Sequence, residues 1–317
     1  MNRIKHISIL LLTVFSLFSC KKEDTVLPYT VTEEPLGCCK LKIIATINRP
    51  ELLTEPFFSV TVSTPPYSSL PAMKYNTNKV QDGKMWVVVS TSPVCEYSYS
   101  TRLIQNGVNY DQEERTYKTG DLPSGLIDMG LSVKWASNNL GALGLEDLGD
   151  HFAWGEATSK ESFTWSNYKW CHGSEESISK YNEYDGIKVL EPEDDAATYL
   201  LGAQWHTPTI NEYQELLDNC EWTWISYKGA SGLAATSPVT LNTIFFPSSM
   251  ASGHWSEFYW SSSLFADSTY AMALRSQNQF AVYDPGDDSI GLRLIPINGG
   301  TDNIARSSAG LIRPVSK

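Results

Sequence analysis

Gln204-Trp205-His206-Thr207-Pro208-Thr209-Ile210-Asn211-Glu212-Tyr213-Gln214-Glu215-Leu216-Leu217-Asp218-Asn219 is the stretch on which the architecture turns. Thr209 can accept a hydrogen bond from a backbone N–H of the first helical turn. Glu212, three residues on, can reach back to the N–H of Thr209, which completes a capping box. Ile210, Tyr213, Leu216, Leu217 and Cys220 recur at helical spacing on one face. The pattern predicts a helix over 210–219. Upstream, Pro192 followed by Glu193, Asp194 and Asp195 suits a helix start, and Gly202 suits a stop. That predicts a second short helix over 193–201. Around these two helices, from Leu126 to Ile297, lie short strand-like runs and irregular loops. Nine of the ten Trp fall between Trp135 and Trp260. Few helices, many loops and dense aromatics predict an α+β domain over 126–297 whose rings fill its core.

The region N-terminal to this domain reads differently. Lys40–Ile47, Phe57–Ser63, Lys84–Ser90 and Cys95–Gln105 are strand-like, and Tyr97, Tyr99, Thr101 and Leu103 share one face by alternation. Asn106-Gly107 tolerates the positive φ of a type I′ hairpin turn. No helical pattern occurs over 37–120, so the expectation is an all-β immunoglobulin-like sandwich. Its last part, Tyr97-Ser-Tyr-Ser-Thr-Arg102, Asn106-Gly-Val-Asn-Tyr110 and Thr116-Tyr-Lys-Thr119, resembles the final strands of fibronectin type III-like modules. Gly120, Asp121, Pro123 and Gly125 mark the boundary between the two domains. Residues 20–36 read as a polar tether and 298–317 as a flexible tail.

The chain's beginning reads as an address. Arg3 and Lys5 precede an apolar run from Ile7 to Phe18, too short to span a bilayer core of about 30 Å. Leu17-Phe18-Ser19-Cys20 resembles the bacterial lipobox, which implies that residues 1–19 are a signal peptide and that Cys20 carries lipid. Lys21-Lys22-Glu23-Asp24 resembles the lipoprotein export signal of Bacteroidetes, implying the outer face of the outer membrane. With 24 Lys+Arg against 36 Asp+Glu, the net charge of −12 excludes a general nucleic-acid binder.

Four ordered segments of the second domain carry a further resemblance. They are Asp128–Ala142 with Trp135, Gly149-Asp-His-Phe-Ala-Trp154-Gly-Glu156, Gln204–Thr209 with the helix after it, and Tyr259-Trp260-Ser-Ser-Ser263 leading to Gly291-Leu-Arg293. Together they resemble the Fibrobacter succinogenes major paralogous domain, found in Bacteroidetes surface lipoproteins and related to formylglycine-generating-enzyme-like and C-type-lectin-like domains. The resemblance implies a C-type-lectin-like fold. The family's turn carries Arg after its Trp, where this chain has His206. The copper-dependent oxidases of that fold hold copper through a Cys pair near the C-terminal end. No Cys follows Cys220 here, so a copper oxidase is the weaker alternative.

Candidate chemistry is sparse. Export permits disulfides. Cys171, after Trp170, and Cys220, before Trp222, form the favoured pair, while Cys95 could join Cys38 or Cys39. Glu191-Pro-Glu-Asp-Asp195 and Asp284-Pro-Gly-Asp-Asp288 are acidic enough to raise calcium, although capping explains the first and a solvated turn the second. His151, His172, His206 and His254 lack metal spacing. No cofactor and no catalytic residue is expected. Trp165, Tyr168, Trp170, Trp255, Phe258 and Tyr259 sit in segments that read as loops, where exposed rings can stack on a sugar or anchor a protein. The expectation is a lipid-anchored, non-catalytic binding or adhesion protein with a glycan or a surface or host protein as ligand. A structural component of a surface assembly is the alternative.

Overall fold

The computed structural model describes residues 28–63, 72–251, 254–255, 257–264, 271–276, 292–295 and 305–317. Cys20 and the acidic run 284–288 lie outside them. Alternation in the first part of the chain produces eight strands: β1 (Tyr29–Pro35), β2 (Lys40–Ile47), β3 (Phe57–Val62), β4 (Met73–Thr77), β5 (Lys84–Ser90), β6 (Glu96–Gln105), β7 (Val108–Asp111) and β8 (Arg115–Lys118). One sheet has the order β1-β2-β5. The other has the order β4-β3-β6-β7, with β8 also on β6. Leu41, Ile43, Ala45, Met85, Val87 and Val89 from the first sheet share one core with Phe58, Val60, Val62, Tyr97, Tyr99 and Leu103 from the second. The unit is therefore a two-sheet sandwich. Asn106 (φ 53°) and Gly107 (φ 75°) turn β6 into β7, with Gln105 paired to Val108. Both left-handed residues match the twist of the flanking strands.

Residues 29–35 are not tether. They form β1, paired through Pro35↔Leu41 to Tyr29↔Ile47. Tyr29 and Val31 point into the core, and burying those two side chains outweighs the solvated Glu33-Glu34-Pro35 end.

The second unit mixes short strands and two α-helices in the order β9 (Leu126–Ile127), β10 (Lys134–Ala136), α1 (Ala196–Leu201), β11 (Trp205–His206), α2 (Ile210–Asn219), β12 (Glu221–Tyr227), β13 (Ala230–Thr236), β14 (Thr243–Ser248), β15 (Met250–Ala251), β16 (His254–Trp255), β17 (Phe258–Leu264), β18 (Ala271–Ser276), β19 (Leu292–Ile295) and β20 (Val315–Ser316). Helix α2 has the expected bounds and the expected capping box between Thr209 and Glu212. Helix α1 is shorter than expected. Asp195 accepts from the N–H groups of Ala197 and Thr198 and so becomes the cap, leaving Glu193 and Asp194 outside the helix. Of the four motif tryptophans expected in the core, Trp135, Trp154 and Trp260 are almost wholly buried, whereas Trp205 on β11 is only half-buried.

Residues 305–317 are not a loose tail. β20 lies between β10 and β11 in a four-stranded sheet ordered β11-β20-β10-β9. Leu311 and Val315 enter one hydrophobic core, with Trp135 and Tyr213. Ile312 enters a second, with Trp154 and Trp260. Gly310 passes so close to Trp260 that an added Cβ would sit 2.5 Å from its indole nitrogen. Arg313 is fully buried and donates to Asn139 Oδ1 (2.9 Å) and to the carbonyls of Ala136 (3.2 Å), Ser137 (2.6 Å) and Phe245 (2.5 Å). Replacing it with methionine leaves those carbonyls buried without a donor. Urea unfolding of Arg313→Met is expected to show a loss of about 3–5 kcal/mol; a loss under about 1 kcal/mol would mean that the network does not hold the unit together.

Candidate functional site

Three of the loop aromatics come together in one place. The 3-10 turn Trp165–Asn167 is closed by Thr164 and Asn167 in a capping box. It delivers Trp165, Tyr168 and Trp170 to the face that carries Trp154 and Tyr181. Trp165 meets Tyr168 edge-on at 5.5 Å between centroids, and Trp170 meets Tyr181 edge-on at 5.9 Å. The Trp170 indole N–H donates to the Gly155 carbonyl at 2.7 Å. Tyr168 donates its hydroxyl to the Trp154 carbonyl at 2.7 Å. Tyr181 itself sits at φ 62° while fully buried, a costly conformation for a non-glycine residue that the surrounding contacts must hold.

Cations fill the spaces between these rings. The Arg306 guanidinium lies 4.8 Å from the Trp154 ring centroid, 5.5 Å from Tyr168 and 5.8 Å from Tyr181. It donates to the Tyr168 hydroxyl and to the carbonyls of Tyr181 and Lys180, each at 3.0 Å. The ammonium groups of Lys169 and Lys180 stand 4.1 and 4.9 Å from the Trp170 centroid. Both are held by Asp194, which accepts from Lys169 at 3.0 Å, Lys180 at 2.6 Å and the Tyr181 hydroxyl at 2.8 Å. Burial pushes the Asp194 carboxyl up, but these donors outweigh it and hold it below the usual carboxylate range. Burial likewise raises the Tyr168 and Tyr181 hydroxyls, keeping both neutral. Glu156, also buried, binds Lys160 and the Lys169 N–H. Glu156, Asp194, Trp154 and Trp260 also line a small void between them.

The expected ring surface is therefore mostly packing. Tyr168 is buried, and Trp165 and Trp170 are half-buried with their faces and edges engaged. Phe258 and Tyr259 are not in a loop but open strand β17. Phe258 packs edge-on against Trp260 at 4.8 Å. Tyr259 is buried and donates to the Pro247 carbonyl at 2.6 Å. The Trp255 side chain lies outside the described residues. The signal that misled was local polarity around the aromatics. Most partners that pack them lie within about fifteen residues, such as Tyr181 and Gly155 for Trp170 and Trp260 for Phe258, while Tyr168 is closed off by the distant Arg306.

Cys171 and Cys220 are not joined, and the five described cysteines are free. The Cys171 thiol donates to the Trp165 carbonyl at 3.0 Å. Cys220 caps α2 and packs in the core with Trp135 and Tyr213. Cys38 and Cys39 lie against each other rather than against Cys95.

Asp195 is consumed in the same way as Asp194. It accepts from Ala197, Thr198, and the N–H and hydroxyl of Thr207. The two buried carboxylates of the Glu191–Asp195 run, Asp194 and Asp195, therefore serve internal donors. Among the described residues no group of three or more His, Cys, Asp or Glu side chains is placed to hold a metal ion. His206 bonds Glu212 at 3.0 Å, so its imidazole braces the α2 cap. Burial raises the Glu212 carboxyl, and the bonds from His206 and Thr209 bring it below the usual range. No family model matches the chain, and no curated protein matches it.

Because the Asp194 value is depressed in the folded state, its contribution to stability is complete above the unfolded carboxylate value near pH ~4 and is lost as pH falls through the lower folded value. Asp194→Asn is expected to cost about 2–3 kcal/mol near neutral pH. The gap to wild type should narrow as pH drops below about 4. Urea midpoints across that range check this, and a pH-independent gap would contradict the assignment.

Proposed function

We propose that the chain is a lipid-anchored, surface-exposed outer-membrane protein with a non-catalytic binding or adhesion role, and that its ligand is a protein rather than a glycan. In this reading Cys20 carries the lipid, an immunoglobulin-like module holds the second domain away from the membrane, and a C-type-lectin-like domain of the Fibrobacter succinogenes major paralogous type presents the binding surface. The two-sheet sandwich supports the first module. The burial of Trp135, Trp154 and Trp260 from three of the four motifs supports the second. Among the described residues no helix is long and apolar enough to cross a membrane, so attachment in this reading rests on lipid.

One observation favours a protein ligand. Tyr199, Leu200 and Leu201 follow one another on α1 at 63%, 50% and 41% exposure. The described loop rings that would stack on sugar are instead packed edge-on against neighbours. Consecutive exposed apolar side chains on an ordered helix suit a protein contact. The full chain in detergent, probed against a glycan array and by crosslinking to surface proteins, is expected to capture protein and to show no saturable sugar binding. Replacing Tyr199, Leu200 and Leu201 with serine should weaken that capture about tenfold or more, with stability changed by about 0.5 kcal/mol or less per site. Saturable glycan binding unaffected by the triple variant would overturn the proposal.

A further inference from the structure

The hairpin joining β1 to β2 carries adjacent cysteines at its tip. Leu36 N–H donates to the Lys40 carbonyl at 3.0 Å, closing a loop of Gly37, Cys38 and Cys39. Gly37 has φ 79°, and a Cβ there would lie 2.9 Å from the Leu241 carbonyl oxygen. Only glycine lets the tip approach the second unit so closely. Beyond it, Cys39 is fully buried among Leu122, Ile225, Tyr227, Ala234 and Phe245, while Cys38 packs on the same cluster and stays partly exposed. Lys40 adds an ion pair to Glu221 across the same seam at 2.6 Å. The two sulfurs are 3.2 Å apart.

We propose that Cys38 and Cys39 are a reversible redox pair at the seam between the two units, closing to a vicinal disulfide by exchange with a small-molecule or protein disulfide. Cys38 is the attacking group. It is the exposed member, and the hydrogen bond from Cys39 holds its thiol below the ordinary cysteine value, while the same contact and burial push Cys39 up. The Cys38 thiolate attacks one sulfur of the oxidant disulfide, forming a mixed disulfide and releasing one thiolate. Cys39 Sγ then attacks Cys38 Sγ, breaking the mixed bond and releasing the second thiolate. The two protons lost by the cysteines end on the two released thiolates, so the pair gives up two electrons and the oxidant takes them.

Geometry makes this pair labile rather than a permanent staple. Closure needs the sulfurs to move from 3.2 Å to about 2.05 Å. Adjacent Cα atoms stand about 3.8 Å apart, below the range of about 4.4–6.8 Å that an unstrained disulfide spans. The ring is therefore strained and readily reduced. Its closure moves backbone that is wedged against the second unit.

The full chain, equilibrated through a series of reduced and oxidised glutathione mixtures, quenched with a thiol-alkylating reagent and digested, reports the outcome by mass. The peptide holding both cysteines is expected to lose both alkylation sites together, to become lighter by the two hydrogens removed, and to regain both sites in excess reduced glutathione. Cys39→Ser should stop at a glutathione adduct on Cys38, and Cys38→Ser should leave Cys39 unmodified. The wild-type series is decisive even if a variant does not fold. Both thiols remaining alkylatable throughout, separate glutathione adducts on each, or a crosslink from either to Cys95 would each overturn the proposal.

Discussion

The buried guanidinium of Arg313 is the constraint on which the second unit depends. A charge removed from water costs several kcal/mol unless its donors are all met. Here they meet four acceptors from two segments of chain: Ala136, Ser137 and Asn139 at and just after the end of β10, and Phe245 in the middle of β14. Burial pulls the arginine below its ordinary value, but so high a starting value leaves it charged. The arginine fixes where the last residues run. That path sets Leu311 and Val315 in one core and Ile312 in the other. The two cores are thus pinned by one strand that arrives at the very end of the chain.

Arg306 repeats the device a few residues earlier with aromatic partners. It fills the cage of Trp154, Tyr168 and Tyr181 from inside, and Asp194 gathers two lysines over the outer ring of Trp170. Within this cluster, Trp154, Tyr168, Trp170 and Tyr181 are engaged by the chain's own cations. Under the two proposals, outside chemistry falls on the apolar end of α1 and on the hairpin tip of the first unit. These features sit on different units, and the seam between the units is formed by that hairpin tip, the Gly120–Leu122 connector and β12–β14.

What the sequence determined by itself was whatever depends on neighbours within a few residues. Helix α2 has the expected bounds because Thr209 and Glu212, three residues apart, satisfy each other's backbone donors. The Asn106-Gly107 turn formed as expected because positive φ is a property of those two residues. The alternation of Tyr97, Tyr99, Thr101 and Leu103 along β6 announced a two-faced sheet. Three of the four motif tryptophans, Trp135, Trp154 and Trp260, were legible as core.

Tertiary structure decided the rest because the deciding partners are remote. Residues 305–317 looked loose for want of large apolar groups, and only the carbonyls of Ala136, Ser137 and Phe245 make Arg313 an interior residue. Tyr168 looked available until Arg306, some 140 residues further on, came to rest against it. Glu193–Asp195 looked like a helix start, but the lysines that claim Asp194 and the Thr207 that claims Asp195 moved the cap to one residue. The cysteines could be counted but not paired. Distance between sulfurs is a property of the folded hairpin, and it set Cys38 against Cys39 while holding Cys171 and Cys220 in separate surroundings.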